Sequence, residues 1–192
     1  MEGLINLNRR HWTPDKSIRG NYISIMQKDI ANLVSQLDLI PHPEGGYYKQ
    51  VYKSSEVIKK QHLPERFTGD RSFCTSIYYL LPGDTFSSFH RIKSDETWHF
   101  YQGTTLSIYI IDINGYHSVE KLGLDISAGE KPQITVNAGC WFAAKVDEEN
   151  FYTLSGCTVS PGFEFEDLEM GVRDKMIKDF PQHAELITIL TR

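Results

Sequence analysis

No run of apolar residues in the 192-residue chain approaches the ~18 that a membrane-spanning helix requires, so no bilayer partner is expected. The opening segment from Met1 to Arg10 is polar and lacks the apolar stretch of a secretory signal, which points to the cytoplasm. Basic residues are outnumbered: 20 Lys and Arg against 25 Asp and Glu give a net charge of −5, with no Lys/Arg stripe of the kind that neutralises phosphates. Nucleic acid is therefore not an expected partner. Cysteine is scarce and odd in number. Cys74, Cys140 and Cys157 lie far apart in apolar, strand-like runs with no activating base beside them, which argues for buried thiols over a disulfide framework or a zinc site. No repeat of solenoid length and no low-complexity tract occurs, so array architectures are set aside.

What the chain does hold is enough apolar material (40%) to build a core, at a length suited to one domain. Residues 1–24, polar and aperiodic around Pro14, read as an N-terminal arm preceding a domain over 25–192. From about Ser24 the positions Ile30, Leu33, Val34 and Leu37 recur at three- and four-residue spacing, which predicts an amphipathic helix near 25–38 that ends before Pro41. After Pro41-His42-Pro43-Glu44-Gly45-Gly46 the pattern changes to short runs rich in Tyr, Phe, Ile, Val and Thr, punctuated by Gly, Pro, Asn and Asp. Strands are predicted near 47–53, 72–81, 86–92, 97–102, 105–112, 116–122, 132–136, 140–146, 151–160 and 164–170. Asn114-Gly115 predicts a hairpin turn of the primed type, whose two central residues both need positive φ. Ten short strands without intervening helices argue for an all-β fold, a closed barrel or double-sheet jelly roll that leaves few edges exposed. Asp174 to Arg192 is helical in pattern again, with Met176, Ile177, Phe180, Leu186, Ile187 and Leu190 on either side of Pro181.

The chemistry concentrates between Gly83 and Gly103. Strand alternation puts residues 86, 88, 90 and 92 on one face and 96, 98 and 100 on one face of the next strand, so Ser88, His90, Glu96 and Trp98 can converge. His90, with an unperturbed pKa of about 6.5, suits proton transfer at neutral pH; the plainer reading is a packed barrel histidine. A lone carboxylate in an apolar barrel is costly or stays protonated, so Glu96 needs His90, Arg71 or a ligand as partner. Asp167 follows the Pro161-Gly162 turn on one face with Phe163 and Phe165, and either joins the cavity or continues past its rim; Glu164 and Glu166 fall on the solvated face. Arg71 is the better candidate for an anionic ligand group, because Arg91 falls opposite His90. Tyr78, Tyr101, Tyr109, Trp98 and Trp141 suit either a pocket for a sugar or aromatic ring, or plain core. His42 and Glu44, beside Gly45-Gly46, sit in a loop that permits close approach to a ligand or a partner subunit, with loop capping as the plainer role. His11, His62, His117 and His183 belong to no constellation and read as surface residues.

The Gly83–Gly103 stretch resembles the first cupin motif, with His90 at its first histidine, Glu96 at its glutamate, Gly103 at its closing glycine and Ile92 where a second histidine would stand. Val136-Asn137-Ala138-Gly139-Cys140-Trp141-Phe142 resembles the second motif, with Asn137 for its proline and Phe142 for its histidine. Two of three imidazoles are thus replaced, whereas a catalytic metal wants about three protein ligands and an open position. No cofactor is expected beyond a weakly bound divalent metal, which would have to use His90, Glu96 and, through a bulge, His99. These departures resemble one cupin family of unknown function, DUF985 (Cupin_5). The likeness rests on Pro41–Tyr48, on Ser94-Asp95-Glu96 with Trp98-His99, on Val136–Phe142 and on Val159–Asp167, in that order. The resemblance implies a jelly roll like that of dTDP-4-dehydrorhamnose 3,5-epimerase, a homodimer, and no assigned reaction. It also suggests for Asp167 the role of the late-strand Asp that orients the catalytic His in those epimerases.

Three functions follow. One is an isomerase or epimerase acting on a small carbonyl compound, with His90 as base, Glu96 or Asp167 orienting it, and a Tyr returning the proton. Another is a non-catalytic binder of a small molecule, carbohydrate-related in the sugar-pocket reading, with Arg71, Tyr78, Ser88, Trp98, Tyr109 and Trp141 around the ligand. The third, a metal-dependent cupin enzyme, is disfavoured by Ile92 and Phe142.

Overall fold

The computed structural model describes residues 27–192. The arm expected over 1–24, with His11 in it, lies outside the described residues. Helix α1 runs over 27–36. Strands follow as β1 (Ile40–Pro41), β2 (Tyr47–Lys53), β3 (Val57–Ile58), β4 (Arg71–Ser72), β5 (Thr75–Pro82), β6 (Ser87–Arg91) and β7 (Asp95–Gly103). The rest comprises β8 (Leu106–Ile111), β9 (His117–Leu122), β10 (Gln133–Val136), β11 (Trp141–Val146), β12 (Tyr152–Ser160) and β13 (Glu169–Met170), then α2 (Arg173–Asp179) and α3 (Ala184–Ile189). One sheet has the order β1-β2-β5-β12-β7-β10, the other β13-β6-β11-β8-β9, and β3 pairs with β4 alone. Neighbours such as β5, β12 and β7 are distant in sequence, so the chain passes back and forth between two facing antiparallel sheets. This is a jelly roll.

Alternation within each strand sorts side chains between the barrel and its covers. On β5, Tyr79 and Leu81 point into the barrel while Leu80 and Tyr78 point out against Ile30, Leu33, Val34 and Leu37 of α1 and its following turn. On β11, Phe142 and Ala144 point in, and Trp141 and Ala143 point out beneath Met176, Ile187 and Leu190. The two terminal helical segments thus cover outward sheet faces, each with the apolar positions read from its periodicity. Inside, Trp98 is fully buried and meets Tyr79 and Phe142 edge-on, with ring centroids 5.4 and 6.5 Å away.

Three local expectations are corrected. The run 72–81 is two strands, because the chain turns at Phe73-Cys74 and β4 pairs with β3 instead of continuing into β5. The run 164–170 is a 3-10 turn over Phe165–Asp167 followed by the two-residue β13, so Asp167 is not a strand residue. The β8–β9 hairpin is not of the primed type: Gly115 alone has positive φ (80°). There the Asp112 carboxylate accepts the N–H groups of Asn114 and Tyr116, and its carbonyl accepts that of Gly115, so a type I turn closes with one left-handed glycine.

Candidate functional site

A cavity of about 220 Å³ opens into the barrel beside Trp98's packed layer, with Glu44, His90, Glu96 and Cys157 in its wall. His90 and Glu96 arrive as alternation requires, from the inward faces of β6 and β7. Glu44 arrives differently. It sits at the tip of the β1–β2 hairpin, where Gly45 and Gly46 adopt φ of 123° and 68° and let the loop fold inward over the sheet. Glu44 is 6% exposed and His90 1%.

The hydrogen bonds fix the state of His90. Its Nδ1 lies 2.8 Å from the Ser88 carbonyl oxygen, which can only accept, so Nδ1 carries a proton. Its Nε2 lies 3.0 Å from Glu44 Oε2. Burial works against charge on both groups, yet mutual attraction and their hydrogen bond outweigh it: His90 is raised above its ordinary value, and Glu44 is held at about 2. The pair is an imidazolium and a carboxylate. Glu96 shares the same burial without such a partner, and the Glu44 charge works against it further. Attraction to His90 and the Cys157 thiol's hydrogen bond offset this only in part, leaving Glu96 at about 7. One cavity thus holds two carboxyl groups with opposite tendencies, an arrangement that separates acid from base roles. His42, whose Nδ1 is 3.4 Å from Glu44 Oε2, is pushed down by burial despite Glu44, with His90 adding to the fall. Its ring sits edge-on to Tyr48 at 4.6 Å and stacks on Phe165 at 6.0 Å, so His42 belongs to the aromatic rim.

Of the residues singled out from sequence, His90 and Glu96 are brought together in the cavity wall. Asp167 is not. It is buried with Arg71, whose Nε and Nη2 each donate to it at 2.6 Å, and Lys93 Nζ is 3.3 Å away. Arg71 is likewise committed to Asp167 and Glu166 and does not line the cavity; Glu166 is exposed, as expected, and pairs with Arg71 from the solvent side. Ser88 is displaced by a bulge in β6: Phe142 pairs with His90 but Ala144 with Ser87, so Ser87 takes the inward place and Ser88 contributes its carbonyl to His90. Trp98 belongs to the packed core. Tyr78 faces α1, and Tyr109 and Trp141 face the C-terminal helices. His99 points away from Glu96 and lies 3.1 Å from Thr158 Oγ1. Arg91 lies over the Trp141 ring at 4.5 Å and binds Glu169. His117, expected at the surface, is half-buried and stacks on Tyr109. Cys140 is buried and Cys74 half-buried, whereas Cys157 is a cavity residue beside Glu96. The sequence places His42 and Glu44 in a loop open to a ligand or a partner subunit, with capping as the plainer role; nothing in it joins Glu44 to His90, although Pro41–Tyr48 is one of the segments that carry the family resemblance.

A metal does not fit these residues. His99 is turned away, Phe142 lies 4.1 Å from the His90 ring, and both nitrogens of His90 are engaged. Among the described residues no group of three or more His, Cys, Asp or Glu could hold an ion.

Residues 31–171 match the family model described as Cupin superfamily (DUF985). The chain is 28% identical over 148 residues to an uncharacterised protein of Saccharomyces cerevisiae, covering 72% of this chain and 73% of that one. Its fold is similar to the X-ray structure of a protein from Shewanella oneidensis, with a TM-score of 0.76 and 36% identity over 84% of this chain and 96% of the other. It is equally similar to a hypothetical protein from Leishmania major, with a TM-score of 0.76 and 30% identity over 84% and 97% of the two chains. A family model that spans the hairpin bearing Glu44 as well as both barrel sheets leaves one assignment: the chain belongs to the cupin superfamily, in the family DUF985 (Cupin_5).

Proposed function

We propose that the barrel cavity binds a small, carbohydrate-like carbonyl compound and moves a proton at the carbon next to its carbonyl, as isomerases and epimerases do. The observation that carries this reading is the trio of buried groups lining one cavity: the His90–Glu44 ion pair and, feeling the Glu44 charge, the carboxyl of Glu96 poised at about 7. Glu96 in its ionised form takes the proton as the C–H bond breaks. The electron pair moves to the carbonyl oxygen as an enolate, and the His90 imidazolium faces the same cavity as its counter-charge. Return of the proton from Glu96 to the former carbonyl carbon, with the neighbouring hydroxyl giving its proton to the enolate oxygen, completes an isomerisation; an epimerisation instead takes its proton on the opposite face from a second donor, water or the Tyr48 hydroxyl of the cavity lining. This assignment gives Glu96 the transfer role and His90 the electrostatic one, because both ring nitrogens of His90 are already engaged. The protein works in this reading in the cytoplasm as a homodimer, without nucleic acid.

The test is hydrogen exchange. Wild-type protein in D₂O is incubated with a panel of aldoses, ketoses and deoxy-keto sugars, and loss of the α-C–H signal is followed by proton NMR. Exchange in at least one compound, abolished in Glu96→Gln, is the expected result. Absence of exchange across the panel, or exchange indifferent to that substitution, overturns it. A second reading, a non-catalytic binder, draws on the apolar side chains Ile77, Ile92, Val159, Phe163, Phe165 and Leu168 around the few polar groups. Mass spectrometry of molecules released on denaturing the purified protein tests it; a bound metabolite that shows no exchange favours this reading.

A further inference from the structure

Glu44 reaches His90 from a hairpin tip, and hairpin tips are ordinarily the loosest parts of a sheet. Something must hold this one down. The Glu44 carbonyl oxygen accepts from two directions: the backbone N–H of Ser88 in β6, at 2.8 Å, and the guanidinium of Arg192, 148 residues away in sequence. The other arm of that guanidinium donates to the Phe86 carbonyl at 2.9 Å and lies 3.4 Å from the Thr85 hydroxyl, and its carbon sits 4.9 Å from the Phe86 ring centroid. Arg192 therefore bridges the loop that carries Glu44 and the segment that leads into β6, the strand that carries His90.

The bridge itself is anchored. Phe89 of β6 donates its N–H to the Leu190 carbonyl at 2.8 Å. The buried Thr191 hydroxyl donates to the Ile187 carbonyl and accepts from Arg173 Nε at 2.9 Å. The fit is close as well. A Cβ on Gly45 would lie 2.3 Å from the Phe86 oxygen and 2.6 Å from Arg192 Nη2, so the loop passes beneath the guanidinium only because residue 45 has no side chain.

We propose that Arg192 is a positioning residue of the site: its guanidinium clamps the Glu44 loop onto the entry to β6 and so holds the Glu44 carboxylate against His90. This rests on the reading that the His90–Glu44 pair is the working part of the cavity, but not on any particular reaction. The charged and titratable groups around that pair are His42 from the same loop, Glu96 from β7, Cys157 from β12 and Tyr79 from β5. His42 travels with the loop and Tyr79 donates to its Gly45 carbonyl at 2.8 Å, but withdrawing His42, like removing the Arg192 charge, acts to raise His90, so a fall in the His90 midpoint reports on Glu44.

The experiment is an NMR titration of the His90 imidazole, assigned by its loss in His90→Gln, in the full chain. Glu44→Gln sets the scale, since it removes the carboxylate and keeps its shape. Arg192→Ala is expected to lower the His90 midpoint by about one pH unit or more, towards the Glu44→Gln value, as loss of a close opposite charge does. Arg192→Lys, which retains a donor for Glu44 but cannot span to Phe86, is expected to fall between. A midpoint in Arg192→Ala equal to wild type overturns the proposal whatever happens to the melting temperature, because a merely structural role would lower stability and leave the titration in place. If Arg192→Ala does not fold, Arg192→Lys decides alone, by a lowered or an unchanged midpoint. The D₂O exchange experiment is independent: a panel without exchange ends the isomerase reading while a shifted His90 midpoint still stands for the clamp.

Discussion

Glu44 and Glu96 carry the same carboxyl group into the same cavity, and their different fates follow from the distance to one imidazole. Glu44, in contact with His90, is ionised down to about 2; Glu96, without that contact and facing the Glu44 charge, holds its proton up to about 7. Each shift is also a statement about stability. Glu96 has a folded value above its ordinary 4.5, so the folded state binds its proton more tightly. Its contribution is complete below about pH 4.5 and disappears as pH rises through about 7. Glu44 has the opposite sign: its contribution is present above 4.5 and disappears as pH falls towards 2. His90, raised above 6.5, gives up its contribution only as pH climbs through its own higher value. Between pH 4.5 and 6.5 Glu96 lowers stability as pH rises, while His42 and His117, both pushed below 6.5 chiefly by burial, act in the opposite direction. The change of melting temperature with rising pH should therefore be more negative in wild type than in Glu96→Gln, which cannot ionise. The full effect over the whole shift is about 3 kcal/mol. Thermal melts at half-unit pH intervals on both proteins measure it; parallel slopes would show that Glu96 titrates as an ordinary exposed carboxyl.

At the scale of elements, the strands and helices were legible in the sequence because each shows one period and one burial pattern. The helix under Leu80 and Tyr152 and the helical segment over Trp141 present the apolar positions that their three- and four-residue spacing predicts. What was not legible were the places where an element departs from its period. A bulge in β6 exchanged Ser87 for Ser88 on the inner face, and a 3-10 turn replaced the strand that would have carried Asp167 towards the cavity. A loop, which has no period at all, brought in Glu44. Alternation therefore located His90 and Glu96 and missed the side chain that sets the charge on both. The Arg71–Asp167 pair shows the converse, two residues with the chemistry of a site and the position of a strut. It is a bidentate bridge, its side chains 1% and 2% exposed, that ties β4 to the turn before β13. Breaking a buried pair from one side costs about 3–5 kcal/mol. Asp167→Asn should thus lower the melting temperature strongly while the His90 titration midpoint stays where it is. A shift of that midpoint would return Asp167 to the site.

At the scale of the molecule, the terminal helices cover much of the apolar sheet surface, and one of the places left open among the described residues is a corner beside β2. Helix α1 lies on Leu80, Tyr152 and Leu154, and α2 and α3 lie on Phe89, Ile111 and Trp141. Of the three tyrosines in β2, Tyr47 is covered by α1 and Tyr48 faces the cavity. Tyr52 lies beyond a bulge at Val51 and is 53% exposed. Val51, Val57 and Phe73 are each about half-exposed in the adjoining β2–β4 region, where Phe73 donates its N–H to the Glu56 carbonyl and Ser54 donates to that of Cys74. Four large apolar side chains in one corner suit the centre of an interface, although a stable one needs roughly 800 Å² from each partner and so must extend past them. In a two-fold pair the same corner serves both copies. The homodimer proposed for this protein should use it. Sedimentation equilibrium at micromolar concentration is expected to give about twice the chain mass of 22.1 kDa, and a Tyr52→Lys, Phe73→Lys double variant, which places two charges on the shared axis, is expected to give the single chain. Because neither residue touches the cavity, that variant should keep its His90 titration unchanged. A wild-type protein of single-chain mass would sink the dimer. A double variant that stays dimeric would move the interface to another face, with β9 and the exposed Leu124 and Ile126 as the next surface to charge.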